Sequence, residues 1–179
     1  MNTQRTKKNI VELTRMSAAE CRAADKLPLM VLADNVRSLN NVGSLLRTAD
    51  AFSVAEVVLC GITGTPPHPE IHKTALGAEE SVAWRHADST VQEVRRLQEQ
   101  GWTVVVLEQT HNSVMLDEFS ADPGGKYALV CGNEVHGVDQ EVVDAADLVL
   151  EIPQCGAKHS LNVSVSTGVA LWELFKRVK

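Results

Sequence analysis

The sequence predicts an α/β fold with a mostly parallel sheet flanked by helices. Three observations carry this. Five short β-branched runs, 29–33, 57–62, 103–107, 127–132 and 147–152, are spaced along the chain. Helix-patterned segments lie between them, the alternation expected of a parallel sheet. The runs are also almost wholly apolar rather than alternating, as when helices cover both sheet faces.

In chain order, residues 1–27 read as an N-terminal helical extension, MSAAECRAADK, ending at Pro28, ahead of a single domain over 28–179. The run LMVLA (29–33) opens the sheet, and 41–52 follows as a helix. After VVLCGI (57–62) comes GTPPHPE (64–70), the strongest break in the chain, where three prolines lock an extended path. Helices are expected over 70–78, 89–100, 139–146 and 161–177. Ser89 and Thr90 open the second of these and Gly101 closes it.

At 179 residues the chain suits one domain, and 44% hydrophobic with 22% charged residues excludes a disordered or fibrous protein. No apolar run approaches the roughly 20 residues of a membrane span. MNTQRTKKNIVELTRM has basic residues without an apolar core behind them, unlike a secretory signal. Cys21, Cys60, Cys131 and Cys155 are scattered in or beside apolar stretches, which suits buried free thiols in a reducing compartment. A cytoplasmic protein is expected. The net charge of −6 argues weakly against a polyanionic partner, but residues 1–16 and 176–179 each carry +3, leaving −12 between. Basic ends can touch a polyanion while an acidic middle maintains solubility.

Three connections are unusually polar, and each follows a strand: DNVRSLNNVGSLLRTAD (34–50), GNEVHGVD (132–139) and PQCGAKHSLN (153–162). In open parallel sheets that edge binds ligands. There is no GxGxxG, and GNEVHG has Val138 and Asp139 where a phosphate loop needs Lys and Ser/Thr. In HPEIH, His68 and His72 are four apart, but the Glu is misplaced for a metalloprotease and Pro69 interrupts the helix. Both histidines read as loop and capping residues, and no metal is expected. Cys131 ends a buried strand and reads as packing. Glu79–Glu80 and Asp117–Glu118 read as solvated surface, and the three tryptophans as core anchors.

Together the three loops resemble the SpoU/TrmH branch of the SPOUT RNA methyltransferases. Asn41-Val-Gly43-Ser-Leu-Leu-Arg47-Thr-Ala49 matches the first motif, Gly132-Asn-Glu134-Val-His-Gly137 the second, and Ile152-Pro153 with Ser160-Leu161-Asn162-Val163-Ser164 the third. They occur in family order over about 28–177. The resemblance implies a C-terminal trefoil knot, methyl transfer from S-adenosylmethionine to a ribose 2′-oxygen of RNA, and a homodimer with its active site at the subunit interface. It assigns cofactor contacts to Gly132, Ile152 and Leu161, with Gln109 as a fourth. Arg47 matches the family's catalytic arginine, and Asn41, Glu134, Ser160 and Asn162 its other site residues.

Methyl transfer from a sulfonium needs no metal, because the leaving thioether is neutral. The task is to align two reactants and bring a weakly acidic hydroxyl close to its alkoxide. A guanidinium is a poor base, so Arg47 suits holding a phosphate and stabilising developing negative charge. Asn41 and Asn162 can orient Arg47 and the ribose, and Glu134 can pair with Arg47 or fix a loop amide. Each residue also has a purely structural reading: a surface ion pair for Arg47, helix capping for Ser160, Asn162 and Glu134, and close helix packing for Gly43.

Gln109-Thr110, IPQCG and SLNVSVS resemble the members that methylate the tRNA D-loop guanosine, so tRNA is expected ahead of rRNA. The alternatives are an rRNA methyltransferase, a non-catalytic RNA-binding protein of the same fold, and a small-molecule α/β enzyme. The final helix, with Val169-Ala-Leu-Trp172 and Leu174-Phe175, is apolar nearly all round and needs burial on more than one side.

Overall fold

A computed structural model of the chain describes residues 5–9, 16–122 and 124–179. Its centre is a seven-stranded sheet: β1 (Leu27–Asp34), β2 (Val54–Cys60), β3 (Trp84–Ala87), β4 (Thr103–Leu107), β5 (Val114–Met115), β6 (Tyr127–Cys131) and β7 (Leu148–Glu151). The strand order is β3-β2-β1-β6-β4-β7-β5. Every pairing is parallel. The helices are α1 (Ala18–Ala23), α2 (Leu39–Ala51), α3 (Pro69–Ala75), α4 (Ala78–Ser81), α5 (Thr90–Glu99), α6 (Gln140–Ala145) and α7 (Val163–Val178).

The apolar strand runs have the expected cause. Leu29, Val31 and Ala33 of β1 join a core with Leu45 and Leu46 of α2, Ile71 of α3, and Leu171 and Leu174 of α7. Met30 and Leu32 point the other way, into a second core with Val94 and Leu97 of α5 and Val142 of α6. Alternate side chains of one strand thus feed two cores. Burying each such leucine stabilises the fold by about 1.5–3 kcal/mol.

All five expected strands are present, with ends shifted by up to three residues. Two strands lack an apolar signature. β3 is an edge strand whose Arg85 bonds Glu56 at 3.1 Å and also pairs with Glu93, and β5 is a two-residue pairing at the opposite edge. Edge strands have one unpaired side and need no continuous apolar run.

The segment expected to be one helix over 70–78 is two. Leu76 (φ 53°) and Gly77 (φ 94°) are left-handed and separate α3 from α4. Such a pair ends a helix. His68 caps α3 by accepting from the Glu70 amide at 3.2 Å, and Ser89 caps α5. Glu79 is not free surface: it pairs with His72 and accepts from the Gly77 amide at 3.0 Å.

The expected N-terminal extension is helical over α1, which opens with a capping box. Glu20 N–H donates to Ser17 Oγ (3.2 Å) and Ser17 N–H to Glu20 Oε2 (2.7 Å). The sheet starts at Leu27, inside that extension, and residues 5–9 have no helix. Its residues 1–4 and 10–15, including the basic Arg15, lie outside the described residues.

Among the described residues no helix is long and apolar enough to cross a membrane. Cys60 and Cys131 are buried, whereas Cys21 is only partly covered and Cys155 is exposed, unlike the burial expected of all four. Trp172 is likewise half exposed rather than a core anchor. It belongs to an apolar stripe, Leu161, Val165, Val169 and Trp172, with exposures of 41–52%.

Candidate active site

The carboxyl ends of β1, β4, β6 and β7 converge on one edge, and the three polar connections meet there. After β1 the chain turns through Asn35 (φ 53°), and Ser38 caps α2 by accepting from the Asn41 amide at 3.3 Å. After β6, Asn133 and Gly137 exchange backbone hydrogen bonds of 2.9 Å in both directions and close a tight turn. A Cβ on Gly132 would stand 2.3 Å from backbone atoms of Gly137 and Val138, so only glycine fits there. After β7, residues 153–162 run exposed to the N-terminus of α7.

Glu134 binds the first two connections together. Its carboxylate accepts from the backbone amides of Arg37 (3.0 Å) and Ser38 (2.9 Å) and from Asn41 Nδ2 (2.8 Å). Partial burial pushes this carboxyl up. The amides of Arg37 and Ser38 and the Asn41 side chain outweigh that and hold it below the usual carboxylate range. Glu134 therefore remains ionised, a clamp rather than a proton acceptor.

Asn41 passes the linkage to the third connection: its Oδ1 accepts from Asn162 Nδ2 at 3.1 Å. Asn162 in turn caps α7, accepting from the Ser164 amide at 3.0 Å. A continuous path of side chains thus runs from the β6 turn through α2 to the start of α7.

Beside this path lies a cavity of about 610 Å³. Gln109, Gly132, Ile152 and Leu161 all line it, as do Glu134, Ser160 and Asn162. Ser160 has no hydrogen bond among the described residues and does not cap α7; Asn162 does. Arg47 stands apart from the cavity. It is exposed on α2, and its side chain forms no hydrogen bond or ion pair among the described residues, so Glu134 does not pair with it. Cys131 also borders the cavity, but burial pushes its thiol up to about 12, which leaves no thiolate for chemistry. Among the described residues no group of three or more His, Cys, Asp and Glu side chains is placed to hold a metal ion.

Three side chains that position these loops, those of Asn133, Asp34 and Glu108, carry no motif signal. Asn133 Nδ2 donates to the Asn35 carbonyl at 2.8 Å, and the Asp139 amide to Asp34 Oδ2 at 2.9 Å. Glu108, just after β4, accepts from the Val138 amide at 3.1 Å. The available sequence signal is position: Asp34 and Glu108 are the first polar residues to follow the apolar runs 29–33 and 103–107.

Residues 28–172 match the family model described as the SpoU rRNA Methylase family. The chain belongs to that family. Among relatives of this SpoU-family chain is the 23S rRNA (guanosine-2′-O-)-methyltransferase RlmB of Vibrio vulnificus. It is 36% identical over 152 residues, which are 84% of this chain and 60% of that protein. Among solved structures, the TrmH/SpoU tRNA modifying enzyme of A. aeolicus is 30% identical with a TM-score of 0.78, covering 89% of this chain and 81% of that one. An AdoMet-bound rRNA methyltransferase from Sinorhizobium meliloti is 27% identical with a TM-score of 0.79, covering 89% and 60%. The mostly parallel α/β sheet with flanking helices is thus the SpoU methyltransferase architecture. The chain spans about three fifths of the length of the curated relatives it matches.

Proposed function

We propose that this SpoU-family chain is an S-adenosylmethionine-dependent RNA methyltransferase that modifies a ribose 2′-oxygen of ribosomal RNA. The observation that carries the reading is the adjacency of the cavity to the Glu134–Asn41–Asn162 path. The 23S rRNA activity in the name of the Vibrio vulnificus relative favours rRNA over the tRNA expected from the loop motifs.

The cavity fits the cofactor. Its volume of about 610 Å³ lies within the roughly 300–1,000 Å³ of small-molecule sites. Aliphatic Leu107, Val143, Ile152 and Leu161 stand beside the amides of Gln109 and Gln154. Glu108 and Glu134 line the cavity while no lysine or arginine does among the described residues, which suits a ligand carrying a sulfonium. Gln109, Gly132, Ile152 and Leu161 would hold it. When bound, the cofactor supplies an electrophilic methyl group whose leaving group is neutral.

The chain's own residues supply alignment and charge. Arg47, whose side chain has no partner among the described residues, would hold a phosphate beside the reacting ribose and offset charge on its 2′-oxygen. Asn41 and Asn162 hold α2, which carries Arg47, against the start of α7. Glu134 holds the β1–α2 turn against the cavity wall. Ser160, whose hydroxyl has no partner among the described residues, would contact the substrate.

We assign the assembly and topology on the same footing. The stripe of Val165, Val169 and Trp172 along α7, continued by Leu161 just before the helix, is exposed, and a second copy of the chain would cover it. Because Leu161 also lines the cavity, such a homodimer would adjoin the site. The insertion of β6 between β1 and β4, with β7 beyond β4, supports threading of the C-terminal region as a trefoil knot.

The test is transfer from labelled S-adenosylmethionine to unmodified rRNA and tRNA, with digestion to nucleosides and mass spectrometry. A 2′-O-methylnucleoside in the large ribosomal RNA is the expected result. Label confined to tRNA would overturn the substrate, and label on a base would overturn the reaction.

A further inference from the structure

We propose that Glu108 is a positioning residue of the cofactor pocket, a strut that sets the separation of two of its walls. The proposal rests on the cofactor reading above. One wall is the segment after β4, carrying Gln109; the other is the turn after β6, from Gly132 to Val138. Glu108 is fixed by its own backbone, since its N–H donates to the Leu150 carbonyl of β7 at 3.1 Å. From there its carboxylate spans the gap. Oε1 accepts from the Gln109 amide at 2.8 Å and Oε2 from the Val138 amide at 3.1 Å.

The turn is shaped to receive it. Gly137 adopts φ +71°, and a Cβ there would lie 2.1 Å from Glu108 Oε2. The remaining anchors of the turn lead elsewhere. Asn133 and Asp139 tie it to Asn35 and Asp34 at the end of β1, and Glu134 ties it to the β1–α2 connection. Among the described residues Glu108 makes the one hydrogen-bonded link from the turn to the β4 side. Without it the turn stays attached to β1, but its distance from Gln109 is no longer set.

Two substitutions separate a strut from a charge. Glu108→Gln keeps the length, but its NH₂ cannot accept from either amide. Glu108→Asp keeps the charge but is one methylene too short to span both. S-adenosylmethionine binding to the full chain would be measured by calorimetry, alongside melting temperature and amide exchange in the ligand-free protein. Both variants should bind about tenfold to a hundredfold more weakly, the effect of losing hydrogen bonds to a charged group. The Val138 amide should exchange about tenfold faster. The KM for the cofactor should rise while kcat at saturating cofactor stays within about twofold.

Wild-type affinity in either variant would overturn the strut. So would retention of affinity by Glu108→Asp alone, which would mark a charge contact instead. Weaker binding with unchanged Val138 exchange would also overturn it. If the wild-type chain binds no S-adenosylmethionine, the cofactor reading fails, and the exchange at Val138 still decides whether Glu108 holds the turn.

Discussion

Asn162 donates from Nδ2 to Asn41 Oδ1 at 3.1 Å, joining two positions 121 residues apart in the chain. Both amides bond through nitrogen and oxygen: Asn41 also donates to Glu134, and Asn162 also accepts from Ser164. Asn162→Ala removes the link and the α7 cap together, and cap loss alone costs about 1 kcal/mol. In single-turnover kinetics with saturating cofactor it should slow transfer about tenfold. Asn41→Ala in the same background should add only the loss of its bond to Glu134, because the Asn41–Asn162 contact is already gone.

Arg47→Ala should abolish transfer while leaving calorimetric cofactor affinity within about twofold, since Arg47 does not line the cavity. Arg47→Lys should recover little, because an ammonium cannot make the planar two-point contact a guanidinium makes with a phosphate. Near-normal turnover in Arg47→Ala would remove Arg47 from the chemistry.

The Glu134 clamp gives a pH signature. Its carboxyl is held below its ordinary value of 4.5, so its contribution to stability is complete above that pH. The contribution is lost as the pH falls through the lower, folded-state value. The melting-temperature gap between wild type and Glu134→Gln should therefore be constant from pH 8 to about 5 and narrow below 4.5. The gap should be small and shrink with salt, because the side chain is exposed and screened. A gap that widened on acidification would show the opposite shift.

The apolar stripe on α7 is tested by Val169→Glu, which places a charge at its middle. Sedimentation should show a dimer for the wild-type chain and a monomer for the variant. Far-ultraviolet circular dichroism should be unchanged, because Val169 is not part of either core. A dimer that persists would place the second copy elsewhere.

Gly43 belongs to the first family motif, yet the structure gives it a packing role. A Cβ there would lie 2.1 Å from Thr74 Oγ1 and 2.3 Å from the Ile71 carbonyl oxygen, where α2 meets α3. Gly43→Ala gains up to about 1 kcal/mol of helix propensity. Forcing the two helices apart should cost about 1–3 kcal/mol and outweigh that. A lowered melting temperature with unchanged cofactor affinity is expected, and an unchanged melting temperature would argue against the close approach.

Much of this organisation was legible in the sequence because the central strands are covered on both faces. LMVLA and YALVC have no polar interruptions to hide them, and their polar sequels mark the functional edge. Trp84-Arg-His-Ala and Val114-Met115 were not legible, because edge strands draw on backbone pairing more than on composition. The site divides similarly. The motifs bring Glu134, Asn41 and Asn162 to one place, but Glu134's other partners are the backbone amides of Arg37 and Ser38. Every residue but proline carries such a donor, so no side-chain pattern announces it. Glu108 escaped notice for the same reason, and the break at Leu76–Gly77 depends on backbone dihedrals that a helical pattern does not reveal.

The strand order sets a schedule for folding during synthesis. β1 can pair with β2 once residue 60 has emerged, but its other edge waits for Tyr127–Cys131. β4 reaches β1 only through β6, so the β1–β6 and β6–β4 seams both wait for residue 131. Until then the apolar Leu29–Ala33 row has one unpaired edge beside a nascent chain. Pairings this distant in sequence are slow to form. Between the synthesis of residue 107 and that of residue 131, β1 and β4 therefore both present an edge whose shared partner strand is still to come.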